Sequence, residues 1–144
     1  MSSWRDDASP RAQGDLDTLL DLVLPFAQQQ LAGHGAFFPF GAYIGLGGVP
    51  EFVAIYSDSE NPDAARMFED SFAALAARRD VIRAAAVAVD VRIDDGSSDA
   101  ISVNLEHAEG HAITVVLPYA KARFGKRIKY GSMSAQAGEH RIWG

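Results

Sequence analysis

Apolar residues along this chain change period three times, from a helical stripe to alternation, back to a helical stripe, and then to long alternating runs. Leu16, Leu19, Leu20, Val23, Ala27 and Leu31 recur at helical spacing and predict a first helix over about residues 15–32. Asp15 is its expected N-cap, Pro25 should kink or split it, and Gly33 and Gly35 should stop it. Residues 42–46 read as a strand, Gly47-Gly48-Val49-Pro50 as a turn, and residues 51–56 as the returning strand of a hairpin. A second helix should open at Asn61, with Pro62 in its first turn, and bury Phe68, Phe72, Leu75 and Ala76.

Three strand patterns follow. In the first, Ala85, Val87, Val89, Val91 and Ile93 face one way, and Ala86, Ala88, Asp90 and Arg92 the other. The second sets Ile101, Val103 and Leu105 against Ser102, Asn104 and Glu106, so that one face should be solvated. The third carries Ile113, Val115, Leu117 and Tyr119 on one face. A further short strand over residues 127–130 is compatible with the pattern, and Ile142 and Trp143 could anchor the tail. Short turns force antiparallel pairing. The expected fold is α+β: a single antiparallel sheet of about five strands with two main helices on a face, in the order α-β-β-α-β-β-β. Residues 1–13 lack an apolar period and are expected to form a flexible N-terminal tail, with 14–144 as one domain.

Between the first helix and the first strand lies His34-Gly35-Ala36-Phe37-Phe38-Pro39-Phe40-Gly41-Ala42, with three of the eight phenylalanines in four positions. Phe37, Phe38 and Phe40 read either as a hydrophobic plug closing the sheet end or as a docking ridge. In an extended segment Phe37 and Phe38 point opposite ways, which argues against a shared pocket. His34 is placed to cap the free carbonyls of the helix.

Composition adds an electrostatic feature. The net charge is −6, which disfavours nucleic acid as a partner. Residues 118–130 nevertheless hold five cations (Lys121, Arg123, Lys126, Arg127 and Lys129) and no acid, leaving −11 on the rest of the chain. Lys121, Arg123, Arg127 and Lys129 would share one face of a continuous strand. The run reads as a basic edge that discourages aggregation, or as a surface for an acidic partner or an anionic ligand.

Catalytic patterns are missing. There is no cysteine, hence no thiolate nucleophile, disulfide or cysteine zinc site. Gly45-Leu46-Gly47-Gly48 has Pro50 where a dinucleotide loop needs its last glycine. Gly131-Ser132-Met133-Ser134-Ala135 lacks the spacing of a nucleophile elbow. His107 and His111 flank a tight turn and are read as solvated rather than as metal ligands, and the Asp94, Asp95 and Asp99 cluster lacks a calcium-loop pattern. No cofactor or metal is expected. No apolar run nears the roughly 20 residues of a membrane helix, and the polar start of the chain does not resemble a signal peptide, so a cytoplasmic protein without membrane association is expected.

Leu24-Pro25-Phe26-Ala27, His34-Gly35-Ala36-Phe37, Pro39-Phe40-Gly41-Ala42 and Leu117-Pro118-Tyr119 together resemble a group of small bacterial proteins to which no function is assigned. The order of elements is similar to that of roadblock/LC7 (profilin-like) domains. The resemblance implies one cytoplasmic domain and carries no active site. The functional expectation is a small non-enzymatic binding or assembly module, pairing with itself as a homodimer or with another protein. Its candidate contact residues are His34, Phe37, Phe38, Phe40, Tyr119, Lys121, Arg123, Arg127 and Lys129. The alternatives are a small-ligand or enzymatic pocket at the sheet end, built on His34, Tyr43, Tyr119 and Arg123, or a neutralising partner of a toxin or effector.

Overall fold

The computed structural model describes residues 4–53, 63–122 and 127–144. The elements are α1 (Trp4–Asp7), α2 (Pro10–His34), β1 (Phe40–Gly45), β2 (Pro50–Val53), α3 (Ala64–Ala76), β3 (Ile82–Ile93), β4 (Ser98–His107), β5 (His111–Lys121), β6 (Ile128–Tyr130) and β7 (Ser134–Ala137). The class is α+β with one antiparallel sheet, but among the described residues the sheet has seven strands rather than about five. Its order is β2-β1-β3-β4-β5-β6, with β7 also paired to β5. Strand β7 is only four residues long, and its alternating apolar positions are the small, exposed Ala135 and Ala137, which is too weak a pattern to read as a strand.

The first helix begins earlier than its apolar stripe. Ser9 is the N-cap, its hydroxyl accepting from Ala12 N–H at 3.0 Å, and Pro10 occupies the first turn, where its missing N–H costs nothing. Residues 4–7 and 10–13, expected in a tail, are therefore helical. They are tied down by the Arg5–Asp17 ion pair and by buried Ala8 and Ala12. The helix runs through Pro25 as one 25-residue element and ends where Gly35 adopts a left-handed conformation (φ 74°), its N–H bonded to Leu31 O at 2.8 Å. Asp63, not Asn61, caps α3, accepting from Ala65 N–H at 3.0 Å; the expectations for Asn61, Pro62 and residues 54–56 lie outside the described residues.

The helices lie on opposite faces of the sheet, not together on one. Leu16, Leu19, Val23, Ala27 and Leu31 of α2 pack on Ala42, Ile44, Ala84, Ala86, Ala88, Val103 and Leu105. The small residues of β3 let the long helix approach the sheet closely. Each fully buried leucine or valine in this layer contributes about 1.5–3 kcal/mol. On the alternate positions Phe72 and Leu75 of α3 pack on Val53, Ala85 and Val87. Adjacent residues of one strand thus serve different helices.

Glu106 and His107 show this division at the end of β4. Glu106, expected on a solvated face, is buried. Its carboxylate accepts the backbone N–H groups of Arg141 (2.9 Å), Ile142 (3.0 Å) and Trp143 (2.7 Å). This grip holds the C-terminal segment over the α3 core, where Ile142 is buried and the Trp143 indole N–H donates to Arg79 O. Close packing brings the same segment down on β5: a Cβ on Gly138 would lie 2.9 Å from Ile113 N.

Candidate functional site

α2 is about 37 Å long at helical rise and crosses the sheet from end to end. Its two ends carry similar side chains in different surroundings.

Near its start, Asp15 is not an N-cap but a buried anion. Arg83 of β3 clamps it with two hydrogen bonds of 2.9 Å, from Nε and from the terminal guanidinium nitrogen. His107 of β4 lies 2.8 Å away through Nε2. Glu109 N–H donates to His107 Nδ1 at 3.1 Å, so the ring proton sits on Nε2 and points at Asp15. Burial works to raise the pKa of Asp15, but the hydrogen bonds and charges of Arg83 and His107 outweigh it and hold the carboxyl below its usual range. Hydrogen bonding to Asp15 raises the pKa of Arg83 in turn. His107 is 1% exposed, against the solvated turn expected of it, because the β4–β5 turn folds under the start of α2. Both ring nitrogens are engaged and solvent does not reach them, so this histidine–carboxylate pair holds α2 to the sheet and has no route to a substrate.

At the other end of α2 the expected site residues divide into three groups. The first is aromatic. Phe37 and Phe40 are half-buried against the α2 core, as a plug would be. Phe40 meets Phe26 edge-on at 4.9 Å, Phe52 at 6.0 Å and Phe37 at 5.8 Å, and Phe26 meets Phe52 at 5.1 Å. The plug leaves rings outside: Phe26, Phe38 and Phe52 are 36%, 53% and 45% exposed. Phe37 and Phe38 border one hollow after all, because residues 36–39 are not a regular strand. Phe26 and Phe52, absent from the expected site, complete the cluster. Phe26 lies on α2 immediately before buried Ala27, and Phe52 lies on β2 opposite Ala42.

β2 is the outermost described strand on this side. Gly45 N–H donates to Val49 O at 3.3 Å. Ladder alternation then turns the backbone groups of Pro50 and Phe52 outward. Proline has no N–H, which leaves Phe52 N–H as the single outward donor of β2.

The second group is basic. Lys121 ends β5, Arg127 precedes β6, and Ala122 N–H bonds Arg127 O at 2.8 Å to close the hairpin between them. Lys121 and Arg127 line a hollow of about 290 Å³ together with Leu31, Ala32, His34, Gly35 and Ile128. The run does not present one strand face: Lys121 pairs with Ile128 and Ala120 with Lys129, so Lys129 projects from the opposite face. Arg123 and Lys126 lie outside the described residues.

The third group is buried. Tyr119 is a core residue, and its hydroxyl donates to Asp90 Oδ1 at 2.7 Å. Burial, reinforced by Asp90, pushes the tyrosine pKa well above its usual value; burial also raises that of Asp90, against the pull of the Tyr119 hydrogen bond. Tyr43 is remote from all three groups. It lies on the α3 face, donates to Glu51 at 2.6 Å and sits under Arg78 at 5.5 Å. No described cluster of histidine and carboxylate side chains could hold a metal ion, and no described helix is long and apolar enough to cross a membrane.

Fold and site together define a class: an α+β domain with one antiparallel sheet, a long helix on one face, a short helix on the other, and an exposed aromatic edge beside a basic hollow. Compared with models of known protein families, with curated proteins and with solved structures, the chain finds no match, so neither the bacterial motif group nor the roadblock/LC7 likeness receives support from them.

Proposed function

We propose that this protein is a non-enzymatic binding module that pairs with a second copy of itself through the aromatic edge at β2. The observation that carries the reading is the packing of solvent-exposed Phe26 and Phe52 on Phe40, with exposed Phe38 bordering the hollow that Phe26 and Phe40 also line. Exposed rings grouped at a sheet edge are costly in water and characteristic of contact surfaces. With one outward donor, β2 offers little to a strand-extending peptide, so ring packing rather than a ladder carries the contact. A two-fold axis beside β2 places like patches face to face, which is the closed arrangement of a homodimer. The basic hollow and the acidic body supply attraction between unlike regions of neighbouring copies. The sealed state of His107 favours a binding role over catalysis.

The patch is small beside the roughly 800 Å² per partner of a standard interface, so dimerisation in the range of about 10 μM is expected. Sedimentation velocity should show the wild-type chain moving from monomer to dimer between about 1 and 200 μM. Phe52→Ser should remain monomeric with an unchanged circular dichroism spectrum. A wild-type chain that stays monomeric throughout would overturn the proposal.

A further inference from the structure

The basic hollow shares no described lining residue with the hollow at the aromatic edge, and its chemistry is more specific than a solvated cationic surface. We infer that it is a binding site for a small organic anion carrying a short apolar tail.

Its floor is apolar, formed by Leu31 and Ala32 from the last turns of α2 and by Ile128 from β6. Its polar groups are His34, Lys121 and Arg127. Among the described residues neither Lys121 nor Arg127 makes an ion pair. The segment joining them, residues 123–126, contains two more cations and no acid. The acid that Lys121 acts on electrostatically, Asp90, is engaged by the Tyr119 hydroxyl.

The carbonyl end of α2 accounts for part of this charge. Lys121 Nζ stands 3.5 Å from where a Gly35 Cβ would be, close to the helix terminus. A helix C-terminus presents about half a negative charge, which one ammonium already exceeds. Arg127 then has no anionic counterpart among the described residues of the hollow. Its guanidinium is a fork suited to carboxylate or phosphate, and Lys121 is a point charge that tolerates either. A volume of about 290 Å³ admits a head group with several carbons and excludes a macromolecular strand from the interior. The apolar floor distinguishes such a ligand from an inorganic ion, which would gain nothing from Leu31 and Ile128.

Carboxylate and phosphate head groups share this chemistry, and titration separates them. Amide chemical shifts of the ¹⁵N-labelled full chain are followed while sodium hexanoate, hexyl phosphate, hexan-1-ol or inorganic phosphate is added to about 10 mM. Saturable shifts centred on Gly33, Gly35, Lys121 and Ile128 are expected with one or both organic anions, and the tighter of the two names the head group. Hexanol and inorganic phosphate should each shift these amides weakly and without saturation. Arg127→Met and Lys121→Met, both at exposed positions, should retain the spectrum of the fold and each weaken the better anion by about tenfold or more. Equal saturation by hexanol would reduce the site to an apolar hollow, and equal saturation by inorganic phosphate would reduce it to a surface charge effect. Either result would overturn the inference, as would the absence of saturation with both organic anions or undiminished binding in both variants.

Discussion

Two ends of one helix carry a histidine and an arginine each, and the sheet treats them oppositely. At the start of α2, Arg83 and His107 converge on Asp15 and are closed in by the β4–β5 turn. At its end, His34 and Arg127 are joined by Lys121 around an open hollow with no carboxylate among its described lining residues. The difference lies in the counter-ion. A buried anion makes the first cluster self-sufficient, and desolvation strengthens its charge-assisted bonds. The second has cations in excess and an apolar floor, so it is completed only from outside. Side-chain type alone would assign the histidines to the same role; satisfaction of their partners separates structure from availability.

The sealed end should therefore dominate stability. Asp15→Ala leaves the buried His107 Nε2–H without its acceptor and should cost about 3 kcal/mol in urea unfolding. The acid response has a definite sign. Because the Asp15 pKa is depressed in the fold, its contribution is present above the unfolded value of 3.8 and is lost as pH falls through the folded one. The difference between wild type and Asp15→Ala should thus shrink below about pH 4 and stay nearly constant from pH 5 to 7. A difference that persists unchanged at pH 2 would place the effect in packing instead of charge.

A smaller loss is expected from the other side of the same strand end. Glu106→Gln keeps the shape of the grip but gives up the ionised acceptor of three backbone N–H groups, at about 1–2 kcal/mol. Hydrogen exchange should accelerate first at Ile142 and Trp143 and leave α2 protected, which separates the two sides of β4. The smallest change should come at the open end and should carry the opposite sign. Burial raises the Asp90 pKa, so its ionised form opposes folding at neutral pH. Asp90→Asn still accepts the Tyr119 hydroxyl and should stabilise by about 0.5 kcal/mol at pH 7. The gain should fade as pH drops through the folded pKa of Asp90. A loss of stability at pH 7 would show that its charge is needed beside Lys121.

Periodicity made the sheet core and the stripe of α2 legible, because alternation and helical spacing are properties of consecutive residues. The small residues Ala86 and Ala88 of β3 fit a close-packing face or a half-exposed one equally well by pattern, and α2 lies on them. The start of α2 was not legible from its apolar stripe, since Ser9 and Pro10 act through capping geometry ahead of the first buried leucine. The aromatic stretch was legible as a candidate surface, but its partners Phe26 and Phe52 are 26 positions apart on different elements and meet only across the fold. The basic run was visible as charge, whereas the hairpin that sends Lys121 and Lys129 to opposite faces was not.

By itself the sequence determined the class of fold, the absence of cysteine chemistry, and the separation of a basic segment from an acidic body. These follow from local pattern and composition. Only the tertiary structure decided that His107 is sealed by a carboxylate 92 positions away, that Glu106 is buried beneath the chain's last residues, and that His34, Lys121 and Arg127 share one hollow. Burial and pairing of a polar group depend on which distant groups face it, and that is a property of packing, not of spacing along the chain.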